Sequence, residues 1–391
     1  MRDKVLAALR YRQVEHFEVI VIGAGPAGSV AARDIARAGG RVALVDGSHP
    51  REKPCGGGVT GRALDLLDIG TGSASGQAIR HVRFEAGRST VSVDLPEGYL
   101  DVFSRATFDR ALRDAASAAG AVIVDARATS LGRSNGRWTI AAGRTTLTAP
   151  WLLGADGAGG LVRKQVTRPF DRSQLSIAAG SYVDGSGISD IVVRFVDEPR
   201  GYLWSFPRPD HLAVGTCAQA DVTTTAAMHA ITDRWLDAYP PARGRRRRRY
   251  AWPIPSLGAA DVDAETPAGD GWMLLGDAAG LVDPITREGI FFAVRSGMLS
   301  AAALAAPDSA RRYAASVRDE LHDELRRAAR LKAGFFRPRF TTLLVDALQH
   351  SAGIQAVMID LVAGRQSYRG LKRRLLGTLE LGLAWRMLRQ M

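Results

Sequence analysis

Residues Glu18 to Asp46 read EVIVIGAGPAGSVAARDIARAGGRVALVD. Four apolar residues run into Gly23-Ala24-Gly25-Pro26-Ala27-Gly28, an alanine-rich helical pattern follows, and Arg41 to Val45 makes a second apolar run that ends in Asp46. Strand, glycine turn, helix, strand is the order of a unit built to hold a dinucleotide. The three glycines differ in what they make possible. Gly23 permits the tight turn, Gly25 lets a pyrophosphate approach the backbone without meeting a Cβ, and Gly28 lets the helix lie close to the strand. Phosphates then sit at a helix N-terminus, where free N–H groups and the macrodipole favour negative charge. Asp46, eighteen residues after Gly28, is placed to accept hydrogen bonds from the adenosine ribose.

The chain of 391 residues, 46% of them hydrophobic, is long enough to bury one large core or two fused smaller ones. Its two cysteines, Cys55 and Cys217, argue against a disulfide framework and for a reducing cytoplasm. Residues 1–18 carry charges at Arg2, Asp3, Lys4, Arg10, Arg12 and Glu15 and lack the apolar core of a signal peptide, so they read as a short leader before the first strand. The net charge of +12 is uneven: residues 311–391 hold sixteen Lys or Arg against seven Asp or Glu, and Arg243 with Arg245 to Arg249 adds six more. A nucleic-acid groove draws basic charge into the folded body with aromatics between. Charge in one loop and the C-terminal part instead fits an anionic membrane surface or a phosphorylated lipid, so no nucleic-acid partner is expected.

After the first unit, Ser48 to Gly61 reads SHPREKPCGGGVTG. Three consecutive glycines exclude a helix or strand interior and predict a loop whose backbone passes close to a flat ligand. Cys55 before them is either a small apolar filler or a thiol facing the site, and its chemistry alone favours the filler. Residues 79–95 alternate about Gly87 and predict a β-hairpin. A helix follows from Ser104, its N-cap, with Arg105 in the first turn able to reach a phosphate or a ring edge. Ala121 to Asp125 is another strand, and the backbone beyond it, near Ala128, is where an adenine would lie.

Two further strand-to-glycine turns complete the pattern: Trp151 to Gly157, ending Gly-Ala-Asp-Gly, and Trp272 to Gly289, WMLLGDAAGLVDPITREG. Asp277 at the second strand end would accept from a ribityl hydroxyl, and a helix from Gly289-Ile290 aims its N–H groups at a flavin ring. Three such corners suggest one extended cofactor.

The GxGPAG opening, the Gly-Ala-Asp-Gly turn and the late Gly-Asp-Ala-Ala-Gly resemble FAD-dependent oxidoreductases of the para-hydroxybenzoate hydroxylase type fold. Lys53 to Gly58, Tyr202-Leu203-Trp204-Ser205-Phe206-Pro207 and Gly276 to Gly289 resemble the geranylgeranyl reductase family within them. The resemblance, which covers roughly residues 17–300, implies an α/β architecture in which a Rossmann-type FAD-binding domain (17–80, 98–170 and 268–305) is interleaved with a β-rich substrate domain (81–97 and 171–267); the pattern of the remaining chain predicts a helical C-terminal region (306–391). The resemblance also implies FAD contacts at Gly28, Asp46, Cys55, Gly56, Gly58, Arg105, Ala128, Asp277, Gly289 and Ile290, and NAD(P)H or reduced ferredoxin as electron donor. This chain departs from the family pattern at Gly160, where serine is usual, at Cys217 of Gly215-Thr216-Cys217, where a second glycine is expected, and at Asp283 and Arg287, which replace asparagine and glycine.

Tyr202, Trp204 and Phe206 fall at period two and share one face of a strand that Pro207 ends. By itself such a stripe packs a core more often than it lines a pocket; the resemblance makes it the wall of a groove for an isoprenoid chain. Reduced flavin would deliver hydride to one alkene carbon, and Cys55 and Tyr202 are the candidate proton donors. No metal is expected. Thr341 to Gly364 is apolar but interrupted by Asp346, Gln349, His350, Gln355 and Asp360, so it fails as a membrane span. Leu371, Leu375, Leu379 and Leu383 form a stripe beside basic residues, which suits either a helix on the inner face of an anionic bilayer or one packed on the core. An FAD aromatic hydroxylase or a flavin halogenase shares the fold, but neither calls for PCGGG with YxWxFP.

Overall fold

In the computed structural model, which describes residues 14–67, 75–185, 187–378, 380 and 382, the run Val19–Ile22 lies near the middle of a six-stranded sheet. The strand order is Ala268–Gly269, Trp272–Leu274, Trp151–Gly154, Val19–Ile22, Val42–Val45 and Val122–Val124. All neighbours are parallel except the outermost pair at Ala268–Gly269. Parallel sheets are covered on both faces, so their strands are unbroken apolar runs, and Val19–Ile22 and Val42–Val45 are buried at every position.

Helix Pro26–Arg37 returns the chain between those two strands, with Pro26 in its first turn, where a missing N–H leaves no bond unmade. Helix Ile290–Leu304 crosses it so closely that a Cβ on Gly297 would stand 2.6 Å from the Ala27 carbonyl oxygen. A four-stranded sheet adds Trp138, Ile140 and Leu147 to the same core. Its edge strand, Val14–His16, pairs in parallel with residues 146–148, so part of the expected leader is structural; residues 1–13 lie outside the described residues.

The second large sheet has seven strands, in the order Arg247–Pro255, Leu175–Asp184, His211–Gln219, Gly201–Pro207, Ile191–Val196, His81–Ala86 and Ser89–Asp94. The last two are the hairpin expected about Gly87. They join the sheet through a parallel pairing of His81–Ala86 with Ile191–Val196. Register sets Phe195 opposite Tyr202, Val193 opposite Trp204, and Cys217 and Gly215 on the other flank of the same aromatic residues.

The C-terminal part is helical: Ser309–Val317, Asp323–Phe335, Pro338–His350, Ala352–Val362 and Leu371–Leu376. The apolar stretch of 341–364 is two helices broken at Ser351, whose hydroxyl caps the second by accepting from the Ile354 N–H at 3.0 Å. Among the described residues no helix is long and apolar enough to cross a membrane. Leu371 and Leu375 are each 1% exposed and pack in the cluster that joins these helices to Val91, Val93 and Phe195 of the large sheet. Leu379 and Leu383 lie outside the described residues.

Candidate functional site

The three glycines of the first turn do three different things. Gly23 has φ +105°, and a Cβ on it would overlap the Ala155 backbone, so the opening turn is pressed against the Gly-Ala-Asp-Gly turn. A Cβ on Gly28 would overlap the Gly23 carbonyl oxygen, which fixes the close approach of helix to turn. Gly25 is the opposite case: a Cβ there would meet only the His49 ring, at 3.9 Å. The space above it, at the N-terminus of helix Pro26–Arg37, is open.

Asp46 stands beside this opening. Its Oδ2 accepts from the Ala24 N–H at 2.9 Å and faces His49 Nδ1 at 2.8 Å, while Oδ1 accepts from the N–H groups of Ser48 and His49. Burial works to raise the Asp46 carboxyl, but the bond to and charge of His49, with the Ala24 N–H and Ser48, hold it well below the usual carboxylate range. Gly47 packs against the backbone of Ala126 and Arg127, which brings the strand beginning at Ala128 to the same end of the sheet. Asp156 occupies the place beside Gly160: its Oδ2 accepts from the Val162 N–H at 3.0 Å, and a Cβ on Gly160 would overlap its carboxylate. The Asp156 carboxylate thus takes the space that a side chain at position 160 would fill.

The Cys55–Gly58 loop lines a cavity and also packs on Phe206. A Cβ on Gly56 or on Gly58 would come within 2.9 Å of the Phe206 ring, so these glycines admit Phe206. The two motifs are one interlocking unit. Behind it runs Arg208, 1% exposed, which sequence reasoning missed. Its Nη2 donates to the Cys55 carbonyl at 2.6 Å, its Nε to that of Gly56 at 3.4 Å, and its Nη1 pairs with Glu52. Glu52 also accepts from the Ala106 N–H at 3.0 Å and from the Ser104 hydroxyl, so it performs the capping expected of Ser104. A solitary arginine after an aromatic strand carries no sequence signal for this. Arg105 is buried, with Nε and Nη2 on the two Asp109 oxygens at 3.0 and 2.9 Å, and it also faces the Cys55 thiol.

A cavity of about 260 Å³ opens from this corner. Cys55, Gly56, Gly58, Arg105, Asp277, Gly289 and Ile290 line one end. Tyr202, Trp204 and Phe206 form its wall, continued by Val193 and Phe195 on the next strand and Phe84 beyond. Gly23, Gly25, Gly28, Asp46 and Ala128 lie outside it, and Pro26 marks where the two spaces adjoin. Asp277 meets Lys53 Nζ at 3.3 Å and lies beside Gly289, whose helix begins at Ile290. The far wall comes from Phe335 and Phe336 of the C-terminal helices, with the Phe336 ring stacked on Tyr202 at 6.3 Å and 11°. Burial pushes the Tyr202 phenol well above its ordinary value, aided by Cys217 and opposed by Arg287, and its hydroxyl donates to the Thr286 carbonyl at 3.4 Å.

The departures sit around this end. A Cβ on Gly215 would meet the Trp204 indole at 2.6 Å, so that glycine is required by the wall; Cys217, opposite Tyr202, is buried. Asp283 accepts from the N–H groups of Ile285 and Thr286 at 2.7 and 3.1 Å and from the Tyr368 hydroxyl at 3.0 Å, tying the late loop to the C-terminal region. Arg287 has φ +61°, the left-handed conformation that favours the glycine it replaces.

The FAD binding domain family matches residues 16–309. A menaquinone reductase of Mycobacterium tuberculosis is 30% identical over 378 residues, 88% of this chain and 90% of that protein. A digeranylgeranylglycerophospholipid reductase of Methanothrix thermoacetophila is 32% identical over 304 residues, 72% of this chain and 76% of that one. In fold, a geranylgeranyl bacteriochlorophyll reductase-like protein of Thermoplasma acidophilum superposes with a TM-score of 0.76 at 22% identity, covering 93% of this chain and 100% of that one. This chain belongs to the FAD-dependent oxidoreductases of the geranylgeranyl reductase family.

Proposed function

We propose that this protein saturates a carbon–carbon double bond in an isoprenoid chain, the chain lying along the wall of Tyr202, Trp204 and Phe206. The observation that supports this reading most is the continuity of that wall. One face of the seven-stranded sheet stays apolar from Phe84 to Trp252 and ends at the corner of Cys55, Asp277 and Gly289. Burying a prenyl chain there gains about 0.8 kcal/mol per CH₂, which gives affinity without exact placement.

The residues suit an extended FAD. Gly23, Gly25, Gly28, Asp46 and Ala128 would hold its adenosine and phosphate end, with Gly25 leaving the needed space. Cys55, Gly56, Gly58, Arg105, Asp277, Gly289 and Ile290 would hold the flavin end. Asp46 would exchange its bond to His49 for one to a ribose hydroxyl. When bound and reduced, FAD supplies the hydride. The chain supplies orientation and the proton. Tyr202 brings a protonated hydroxyl to the cavity wall, where burial makes it a weaker acid than a free phenol; Cys55 is the second candidate. NAD(P)H or reduced ferredoxin is the proposed electron source, and anaerobic titration with each distinguishes them.

The division into an FAD-binding part (17–80, 98–170, 268–305), a substrate part (81–97, 171–267) and a helical part (306–391) belongs to the same proposal. So does contact with an anionic membrane. Val362 lines the cavity and is 37% exposed, near the exposed Arg365, Arg369, Lys372 and Arg373. Binding to anionic vesicles that survives reversal of these four charges removes that part.

Product analysis tests the reading. Reduction adds two hydrogens in mass per bond and consumes no oxygen. Incorporation of an oxygen or a halogen into the product overturns it in favour of a hydroxylase or a halogenase.

A further inference from the structure

We propose that Arg287, with Lys332 behind it, is a receptor for an oxygen-bearing end group on the apolar chain that fills the cavity. This rests on the reading of the cavity as the substrate site. Arg287 lines that cavity beside Tyr202 and Phe336. Its partners are neutral: Nη1 donates to Ser256 Oγ at 2.6 Å and to the Pro284 carbonyl, while the buried Nε has no hydrogen-bond partner among the described residues. The guanidinium also faces the Cys217 thiol, which burial pushes up from its ordinary value against the pull of Arg287.

Asp261 and Asp221 act by charge on Lys332, and the two carboxylates beside Arg287 are committed elsewhere. Asp283 takes two backbone N–H groups and Tyr368, and Glu288 takes Thr60 and Arg62. A second cation meets the same serine, with Lys332 Nζ 2.8 Å from the Ser256 carbonyl oxygen. Two cations thus converge on a fully buried serine behind the cavity wall, with only neutral hydrogen-bond partners among the described residues, and Arg287 of the two lines the cavity itself.

The backbone adds an independent observation. At φ +61° glycine would sit without strain, and this chain carries arginine. A cation in the wall of a largely apolar cavity, bonded only to neutral groups, is matched by a ligand oxygen, either an anionic phosphate or carboxylate or a quinone carbonyl. Arg287 would therefore set which end of the chain enters first and, with it, which double bond stops beside the flavin.

The variant to make is Arg287→Gly, which removes the side chain and suits the local backbone, so folding is retained. With the FAD-loaded protein, quenching of the tryptophans lining the cavity, Trp204 and Trp252, reads the binding of three matched probes: decyl phosphate, a naphthoquinone bearing a decyl chain, and 1-decene. The expected result is that Arg287→Gly weakens one or both oxygen-bearing probes about tenfold or more, leaves 1-decene within about twofold, and that Arg287→Lys partly restores the loss. Loss for the phosphate alone assigns an anionic end group; loss for the quinone assigns a carbonyl. Equal binding of all three probes by wild type and variant overturns the role of Arg287. Failure of 1-decene to bind wild type overturns the reading of the cavity itself.

Discussion

The two ends of the site are built on different principles. At the Gly23–Gly28 corner, the shape comes from backbone conformation and from atoms that are missing. At the aromatic end, it comes from side chains that widely separated segments bring to one face. A missing Cβ acts on neighbours close in sequence, so its meaning can be read from a few consecutive letters. A cavity wall depends on register, and register is not local. Mutations at the two ends should therefore fail differently, the first through the backbone and the second through buried charge and chemistry.

The largest effect is expected within the glycine corner itself. Gly28→Ala places a methyl on the Gly23 carbonyl oxygen, backbone against backbone with no flexible atom to yield. The expected outcome is loss of more than about 3 kcal/mol of stability and a colourless protein, measured by denaturant unfolding and flavin absorbance. Gly25→Ala is the contrast. Its methyl meets only His49, at 3.9 Å, so apoprotein stability should change by less than about 0.5 kcal/mol while FAD affinity falls sharply. If both variants lose stability alike, the space above Gly25 is not kept for a ligand.

Next comes Arg208→Met, which breaks a buried pair rather than a turn. Glu52 would keep the Ala106 N–H but lose its cationic partner, and the Cys55 and Gly56 carbonyls would lose their donor. A loss of about 3–5 kcal/mol is expected. The double variant with Glu52→Gln should recover part of it, because no lone buried charge then remains. Full additivity in that cycle would show that the two do not act as one unit.

Tyr202→Phe and Cys55→Ala sharpen the chemical half of the contrast. Either one, if it is the proton donor, should lower the rate of alkene reduction by roughly 10²-fold or more with bound FAD unchanged. Loss of FAD instead would make the residue a structural part of the corner.

Such contrasts also explain what the sequence disclosed. The parallel strands and both glycine helices were legible because unbroken apolar runs, Pro26 and the glycines act within one turn of chain. The wall of Tyr202, Trp204 and Phe206 was legible as a stripe from its period of two, but its neighbours Phe195 and Phe336 were not, since nothing local links residue 336 to a strand at 202. Gly56 and Gly58 were read as letting the backbone approach a ligand; they line the cavity, and that their Cβ side is filled by Phe206 was not legible, since nothing local links residue 56 to residue 206. Arg208 and Glu52 stayed hidden because an ion pair across 156 residues leaves no spacing to recognise.

The smallest expected effect tests the electrostatics of the aromatic end. Burial, aided by the charge of Arg287 and opposed by Asp261 and Asp221, pulls the Lys332 ammonium down to about 8 from its ordinary 10.5. Folding therefore disfavours the charged form. Between pH 8 and 10.5 the unfolded chain binds more protons at this site than the folded one, so the Lys332 contribution to stability rises with pH across that window and is constant outside it. At neutral pH the charged lysine costs on the order of 1–3 kcal/mol, part of it returned by its bond to Ser256. Urea unfolding of wild type and Lys332→Met at about pH 7, 8.5 and 10 isolates this contribution as the difference between them. That difference should favour Lys332→Met at neutral pH and shrink as pH rises. A difference independent of pH would mean that the ammonium is as well solvated in the fold as in the open chain, and the cavity end would then not be the low-dielectric, electropositive place that its neutral partners imply.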